Sequence, residues 1–382
     1  MAIIWRHSKL AHRHAAIGGE LEDWNGMGTA WFYDHTPERA KADYEAVRTK
    51  AGLMDVSGLK KCYVVGKDAA YVIDRCTTRN VEKIAPGRAI YAAMLNAEGK
   101  FIDDCVIYHL AVNSWMVVIG TGTGMEFLTA VAAGKDCQVL FDDDLHDISL
   151  QGPVSVDLLA KDIPAIRDLA YFGIMQTRLY GRDVMISRTG YTGERGYEIF
   201  CRGKDVVHLW DTILEVGKDM GVRPVQFSTL DMLRIESYLL FYPGDNSETF
   251  PFENETCGDT LWELGLEFTV SPDKIGFIGS ENHYASKGKE RFKIFGVQLA
   301  DSMAQMDMGA RVMQDGSDVG VITYGLSSAL NSYSVAIARL DPAAAKAGTQ
   351  LSVVQLDGTV LTATAEEMPF YDKDKKVRTA KG

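Results

Sequence analysis

Between Phe101 and Leu110 the chain reads FIDDCVIYHL, a mostly apolar run that opens with two aspartates. A run of this length and composition predicts a buried strand, along which side chains alternate between faces. Phe101, Asp103, Cys105 and Ile107 then share one face, and Ile102, Asp104, Val106 and Tyr108 share the other. The adjacent carboxylates cannot act as a shared-proton pair on such a strand, because only one of them faces a given cavity. Upstream, Thr36-Pro37 opens ERAKADYEAVRTKAGL with an N-cap and a proline in the first turn, and Gly52 stands near its end. Ala40, Tyr44, Val47 and Ala51 recur at offsets of four, seven and eleven. The spacing predicts a helix with one buried face.

Short β-like runs and short helices alternate through KKCYVVG, DAAYVIDRC, RAIYAAML, FIDDCVIYHL, SWMVVIG and MEFLTAVAAG. They form a mixed α+β module of about one hundred residues. A second region, from about 147 to 285, carries hairpin signals around YGRDV and TGYTGERGYEI and helical patterns in DVVHLWDTILEVGKDMG and STLDMLRIESYLL. From Lys289 onward, KIFGVQLA, GARVMQDGSDVGVITYG, YSVAIARL and QLSVVQLDGTVLTATA predict a separate β-rich region. The terminal KDKKVRTAKG reads as a solvated basic tail.

At 382 residues the chain is long for one core, so two or three domains are expected. Apolar residues at 46% and charged residues at 24% are the balance of a soluble globular protein. No apolar run approaches the roughly 20 residues of a membrane span, and MAIIWRHSKLAHRH lacks a signal-peptide core, so a cytoplasmic protein is expected. A net charge of −12 argues against non-specific nucleic-acid binding. The six cysteines form no CxxC pair, and several lie in strand-like runs where free cysteine packs as a small core residue. The histidines are isolated apart from His12 and His14, and no metal site is expected.

One stretch imitates a nucleotide site. WMVVIGTGTGMEFLTAVAAGKDCQVLFDDD has a strand, a glycine-rich turn, a helix, a second strand and terminal acids. Its spacing is GxGxG rather than GxGxxG, and no run of βαβ repeats follows. A glycine-rich strand-to-helix turn is the better reading.

Eight segments taken in order carry a resemblance over nearly the whole chain: VRTKAGLMDVSG (47–58), AIYAAMLNAEGKFIDDCVIY (89–108), LQGP (150–153), SRTGYTGERGYEI (187–199), DMLRIESYLLFYPGD (231–245), ELGLEF (263–268), GFIGSE (276–281) and VGVITYGLSSAL (319–330). Together they resemble the folate-dependent aminomethyltransferases of the glycine cleavage system and their relatives, among them dimethylsulfoniopropionate demethylase and aromatic O-demethylases. The resemblance implies an α+β fold of three domains in a cloverleaf around a central folate channel, with a barrel-like β-rich C-terminal domain. It places a discontinuous folate-binding domain at 1–55 plus 147–288, an α+β domain at 56–146 and the β-rich domain at 289–382. Tetrahydrofolate is the implied co-substrate.

Carried over by this resemblance, Asp104 is the catalytic carboxylate beside folate N5, where a carboxylate can orient the nitrogen, manage its proton or stabilise positive charge. Glu198 matches the carboxylate that receives two parallel pterin N–H donors. Tyr91, Tyr108, Tyr171 and Tyr191 match aromatic positions lining the channel, each of which core packing would explain equally well. Arg234 matches an arginine near the folate, against the alternative of a helix-surface ion pair. Leu59, Tyr63 and Val106 would be channel wall or plain core. Asp103 is left a turn-capping or surface role.

The chain also departs from that pattern. Glycine cleavage enzymes read DVSHMG where this chain has DVSGLK, so Gly58 replaces a histidine, and Ile119-Gly120 stands where asparagine is usual. Both positions border the donor side, which puts a lipoyl-carrier substrate in doubt. Trp24, Trp31, Phe32 and Tyr33 would cage a methylated cation, slot a methoxylated ring, or simply pack at the channel mouth. Tyr242 is a further donor-side candidate, and residues 252–262 look like an insertion. The leading expectation is a tetrahydrofolate-dependent demethylase of a small methylated compound. An aminomethyltransferase acting on a lipoyl carrier protein is the alternative, and a non-catalytic folate-binding maturation protein stands third because its KGCYxGQE-type motif is replaced by FYPGDNSE.

Overall fold

A computed structural model describes residues 4–252, 255–299, 304–327 and 333–381. Residues 253–254 of the expected insertion and 328–330 of the VGVITYGLSSAL run lie outside them. Nineteen strands occur among the described residues. A hairpin of β1 (Glu20–Trp24) and β2 (Met27–Phe32) leads in. It is followed by β3 (Ala51–Asp55), β4 (Lys60–Val65), β5 (Arg88–Leu95), β6 (Phe101–Ala111), β7 (Ser114–Ile119) and β8 (Gln138–Phe141). Next come β9 (Leu145–Gln151), β10 (Ile174–Leu179), β11 (Arg182–Ser187), β12 (Gly196–Arg202) and β13 (Val222–Pro224). The last six are β14 (Lys293–Leu299), β15 (Arg311–Gln314), β16 (Ser317–Ser327), β17 (Ser334–Leu340), β18 (Gln350–Val354) and β19 (Val360–Glu366).

These strands make three larger assemblies. A six-stranded sheet runs in the order β10-β11-β12-β9-β3-β13, and a five-stranded antiparallel sheet runs β5-β6-β7-β4-β8. The six C-terminal strands close into a barrel, β14 pairing with both β17 and β19. The β-rich reading of the C-terminal region is thus a closed barrel with no free edge. Among the described residues no helix is long and apolar enough to cross a membrane.

Each sheet buries one face under helices. Ile148, Leu150, Ile186 and Ile199 of the six-stranded sheet pack on Leu209, Trp210 and Ile213 of the helix Gly203–Gly217. Cys105, Ile107 and Val117 of the five-stranded sheet pack on Val72, Ile73 and Leu128 of the helices Ala69–Cys76 and Gly124–Ala132. The opposite faces meet each other: Tyr108, Met116 and Val118 lie against Leu145 and Phe200. Each large side chain buried at this seam contributes about 2 kcal/mol through the hydrophobic effect, which holds the two sheets at a set separation. The seam opens at one end as a groove of about 390 Å³ lined by Tyr63, Leu110, Met185 and Phe200 among others.

The helix expected after Thr36 spans Pro37–Thr49, and the Thr36 side chain caps the amide of Arg39. Tyr44 and Val47 are buried as the spacing predicts. Ala51 and Gly52 belong to β3 instead of the helix end. A Cβ at Gly52 would fall within 2.7 Å of both Val47 and Val225, so glycine there lets helix and strand touch.

Candidate active site

Register along β6 separates the two aspartates, Asp103 opposing Met94 and Asp104 opposing Ala93 of β5. Asp103 points into the helical layer and is fully buried. Its Oδ1 accepts from the Asp104 amide at 2.9 Å and its Oδ2 from the Gly124 amide at 2.9 Å, with the Gly122 amide a third donor. The GTGTG turn therefore wraps a carboxylate of its own chain, and the amides that would otherwise suit a phosphate are engaged. A Cβ at Gly122 would lie 2.7 Å from Asp103 Cγ and one at Gly124 2.9 Å from Oδ2, so only glycine allows this approach.

Of the turn-capping or surface role expected of Asp103, the surface role is corrected by this geometry, and the turn it caps is the later glycine-rich one rather than the turn before β6. The residue closes the turn that follows the neighbouring strand β7 and is not exposed. Burial pushes its carboxyl up to about 7, and the neighbouring Asp104 charge adds to that against the pull of the amides. Asp103→Asn presents an NH₂ group to those amides, and about 1–2 kcal/mol of stability should be lost, read from denaturant midpoints. Turnover should fall far less than in Asp104→Asn; equal turnover losses would refute the division of roles.

Asp104 faces the other way and is half-buried. Tyr91 on β5 donates its hydroxyl to Asp104 Oδ2 at 2.7 Å. Burial pushes the Asp104 carboxyl up to about 6, while the Tyr91 hydrogen bond draws it back. Tyr191, whose hydroxyl donates to the Leu240 carbonyl at 2.6 Å, senses the charges of both Arg234 and Asp104. Arg234 lies buried in the helix Thr229–Glu236, so the helix-surface ion pair is excluded. Its Nη1 lies 2.6 Å from Asp245 and its Nε 3.0 Å from Asp231, and Nη2 has no partner among the described residues.

Glu198 stands on β12 opposite Ser149 and Ser187. It accepts from the Tyr108 hydroxyl at 3.3 Å and from the Thr189 hydroxyl. Burial raises its carboxyl above the usual range, and those two hydroxyls oppose the rise. Tyr108 is four residues beyond Asp104 on the same face of β6, a separation of about 13 Å at strand rise. Two half-buried carboxylates, each held by a tyrosine, thus bracket one face of the seam. Leu59 and Val106 pack between them with Tyr63 against Tyr108 and Phe200. Tyr171 joins at the Glu198 end, where burial raises its pKa, Arg378 opposes the rise and the Glu198 charge adds to it.

The donor-side candidates divide. Trp24 and Trp31 both pack on Phe227, with ring centroids 4.6 Å apart in each case, so they form an aromatic cluster whose centre is filled. Tyr33 is not with them in any bonded sense. Its hydroxyl is bound at 2.8 Å to His14, which bonds Asp55 at 3.1 Å. Tyr242 sets its ring edge-on to Phe101 at 5.4 Å, and its carbonyl accepts from Thr121 in the glycine-rich turn.

Two features were not anticipated. The KDKKVRTAKG segment is tied down: Lys376–Thr379 is helical, Arg378 is buried, and the Ala380 carbonyl accepts from Arg195 at 3.0 Å. The solvated-tail expectation is therefore corrected; the basic composition concealed one arginine whose Nε lies 4.0 Å from Asp372 and whose Nη2 is buried without a hydrogen-bond partner among the described residues. The second is the hairpin β1–β2, which carries the aromatic-rich segment. Its Asn25-Gly26 turn, with φ of 55° and 79°, is the Asn-Gly signal of a two-residue hairpin.

The fold and this arrangement correspond to a known class. The chain belongs to the glycine cleavage T-protein family, the GCVT N-terminal domain matching residues 10–274 and the glycine cleavage T-protein C-terminal barrel domain matching 293–372. It is thus an enzyme of a transferase family whose members include aminomethyltransferases and demethylases. A heme-dependent oxidative N-demethylase gamma subunit from Ectopseudomonas mendocina (strain ymp) is 54% identical over 388 residues, covering 100% of both chains. The aminomethyltransferase of Bacillus subtilis (strain 168) is 31% identical over 96% of this chain and 99% of its own. A trimethylamine-oxide aldolase from Ruegeria pomeroyi is 33% identical over 87% of this chain and 43% of its own length. The glycine cleavage system aminomethyltransferase T of Bartonella henselae has the same fold, with a TM-score of 0.85 over 96% of this chain and 98% of that one at 24% identity.

Proposed function

We propose that the protein transfers a one-carbon unit derived from a small methylated amine to tetrahydrofolate, in the cytoplasm. The observation that carries this reading is the placement of Asp104 and Glu198 on one face of the seam between the two sheets, each held by a tyrosine hydroxyl. The donor set fits a pterin and its acidic tail. Glu198 is an acceptor for ring N–H groups, and Nη2 of Arg234 and of Arg378, each without a hydrogen-bond partner among the described residues, can take a carboxylate. Bound there, tetrahydrofolate supplies the nucleophilic nitrogens that accept the carbon. Asp104 contributes a carboxylate beside the reacting nitrogen, able to take its proton and to stabilise the positive charge of an iminium-like carbon. Tyr91 keeps that carboxylate in one orientation.

An amine methyl group is a poor electrophile until it is oxidised. The relatives named as an oxidative N-demethylase subunit and as an aldolase support a carbon delivered at the aldehyde oxidation level, from a partner that performs the oxidation. Formaldehyde and tetrahydrofolate then give 5,10-methylenetetrahydrofolate and water. A methyl group moved intact would instead give 5-methyltetrahydrofolate.

The test combines full-length protein, tetrahydrofolate and a panel of ¹³C-labelled donors: formaldehyde, trimethylamine N-oxide, a sulfonium, an aryl methyl ether and an aminomethylated lipoyl carrier. Labelled methylenetetrahydrofolate from formaldehyde at a rate above the protein-free control is expected. Product formed only from the lipoyl carrier overturns the donor assignment, and 5-methyltetrahydrofolate overturns the oxidation level. Glu198→Gln should weaken tetrahydrofolate binding roughly 10–100-fold by calorimetry, the loss expected when a charged, doubly bonded acceptor becomes an amide.

A further inference from the structure

The Asn25-Gly26 turn meets the two positions at which the chain departs from the family pattern. Asn25 Nδ2 donates to the Gly58 carbonyl at 3.2 Å and to the Gly120 carbonyl at 3.1 Å. Beside it, the Trp24 ring lies directly over Gly58, where a Cβ would come within 2.3 Å of the indole. A side chain at position 58 would require Trp24 to shift. Gly120 in turn adjoins the catalytic candidate, since a Cβ there would lie 2.9 Å from Asp104 Oδ1. One turn of the hairpin is therefore a single residue away from the Asp104 carboxylate.

The turn is also braced from behind. Arg6, buried, donates to the carbonyls of Asn25 and Gly58, both at 3.0 Å, and pairs with Asp143 at 2.6 Å. Trp24 packs in the cluster that contains Leu59, and Leu59 packs in turn with Val106 and Tyr108 on the wall of the seam. Trp24 Nε1 is buried and has no partner among the described residues.

We propose that the Trp24-Asn25-Gly26 turn is the donor-side wall of the Asp104 site and its size filter, admitting a compact one-carbon donor and shutting out bulky or tethered ones. The identity of the donor rests on the transferase reading above; the closure of the site rests on these contacts alone. Gly58 then makes room for the turn, and Gly120 makes room for the Asp104 carboxylate beside it.

Access to Asp104 can be read without catalysis. Full-length protein is treated with a bulky water-soluble carbodiimide and glycine ethyl ester, and labelling of the Asp104 peptide is followed by mass spectrometry, with exposed Asp211 as internal reference. Wild type should label slowly at Asp104. Trp24→Ala and Asn25→Ala should each label about tenfold faster, because the wall loses its ring or its two hydrogen bonds and opens more often. Trp24→Phe, which keeps a ring over Gly58, should behave as wild type. Unaltered Asp104 labelling in both alanine variants overturns the proposal, and Asn25→Ala decides the matter if Trp24→Ala fails to fold. Accelerated labelling without folate-dependent transfer from any donor would remove the transferase reading and leave the wall standing. Transfer without accelerated labelling would do the reverse.

Discussion

Asp104→Asn should lower turnover by about 10²–10⁴-fold, the usual contribution of a positioned proton-transfer group, while tetrahydrofolate binding measured by calorimetry stays within about threefold because Glu198 and the arginines remain. The pH profile gives a sharper reading than the rate alone. Burial raises the Asp104 carboxyl to about 6, so the group is neutral below that pH and a carboxylate above it. If the carboxylate is the working form, wild-type turnover rises through about pH 6 to a plateau, and the residual activity of Asp104→Asn has no such limb. An Asn variant that keeps the same limb would show that another group titrates. Tyr91→Phe removes the hydroxyl that draws this carboxyl down, so the limb should move to higher pH.

The largest effect on stability is expected at Arg48→Ala. Arg48 is buried in the helix Pro37–Thr49 and pairs with Glu236 at 2.8 Å and Glu194 at 3.1 Å. It also donates to the Thr192 carbonyl at 2.8 Å and lies 3.9 Å from the Tyr371 ring centroid. Four separate stretches of chain meet at this guanidinium. Removing it leaves two carboxylates buried without their cation, which costs about 3–5 kcal/mol. Chemical denaturation should show that loss, and proteolysis should show the 188–195 loop and the C-terminal segment released together. A loss below about 1 kcal/mol would mean that the buried network contributes no more than an exposed ion pair does.

How much of the site was legible beforehand differs residue by residue. Asp104 could be separated from Asp103 by strand alternation alone, and the observed register keeps that separation. The helix after Thr36 followed from its cap and spacing. For Arg234 and Tyr191 the sequence offers only the resemblance, and their shared electrostatic neighbourhood with Asp104 exists only in the folded chain. For Trp24 and Trp31 the sequence leaves cage, slot and packing open, because an aromatic-rich segment says nothing about what fills its centre, and Phe227 packs against both rings. Arg378 was lost in a basic tail, since charge composition near a terminus does not reveal which side chain turns inward.

By itself, then, the sequence determined what depends on near neighbours: the period that sets Asp103 and Asp104 on opposite faces, the helix cap at Thr36, the β-rich strands after Lys289, and the ordered motifs that mark the family. Tertiary structure decided the partners. Asp103 closes a turn 21 residues away, and Asn25 spans 33 and 95 residues to Gly58 and Gly120. The physical reason is that alternation and capping are written into residues two to four apart, whereas a long-range hydrogen bond leaves no local pattern. Only a glycine where a side chain would collide hints at it, and what it makes room for appears only once the chain has folded.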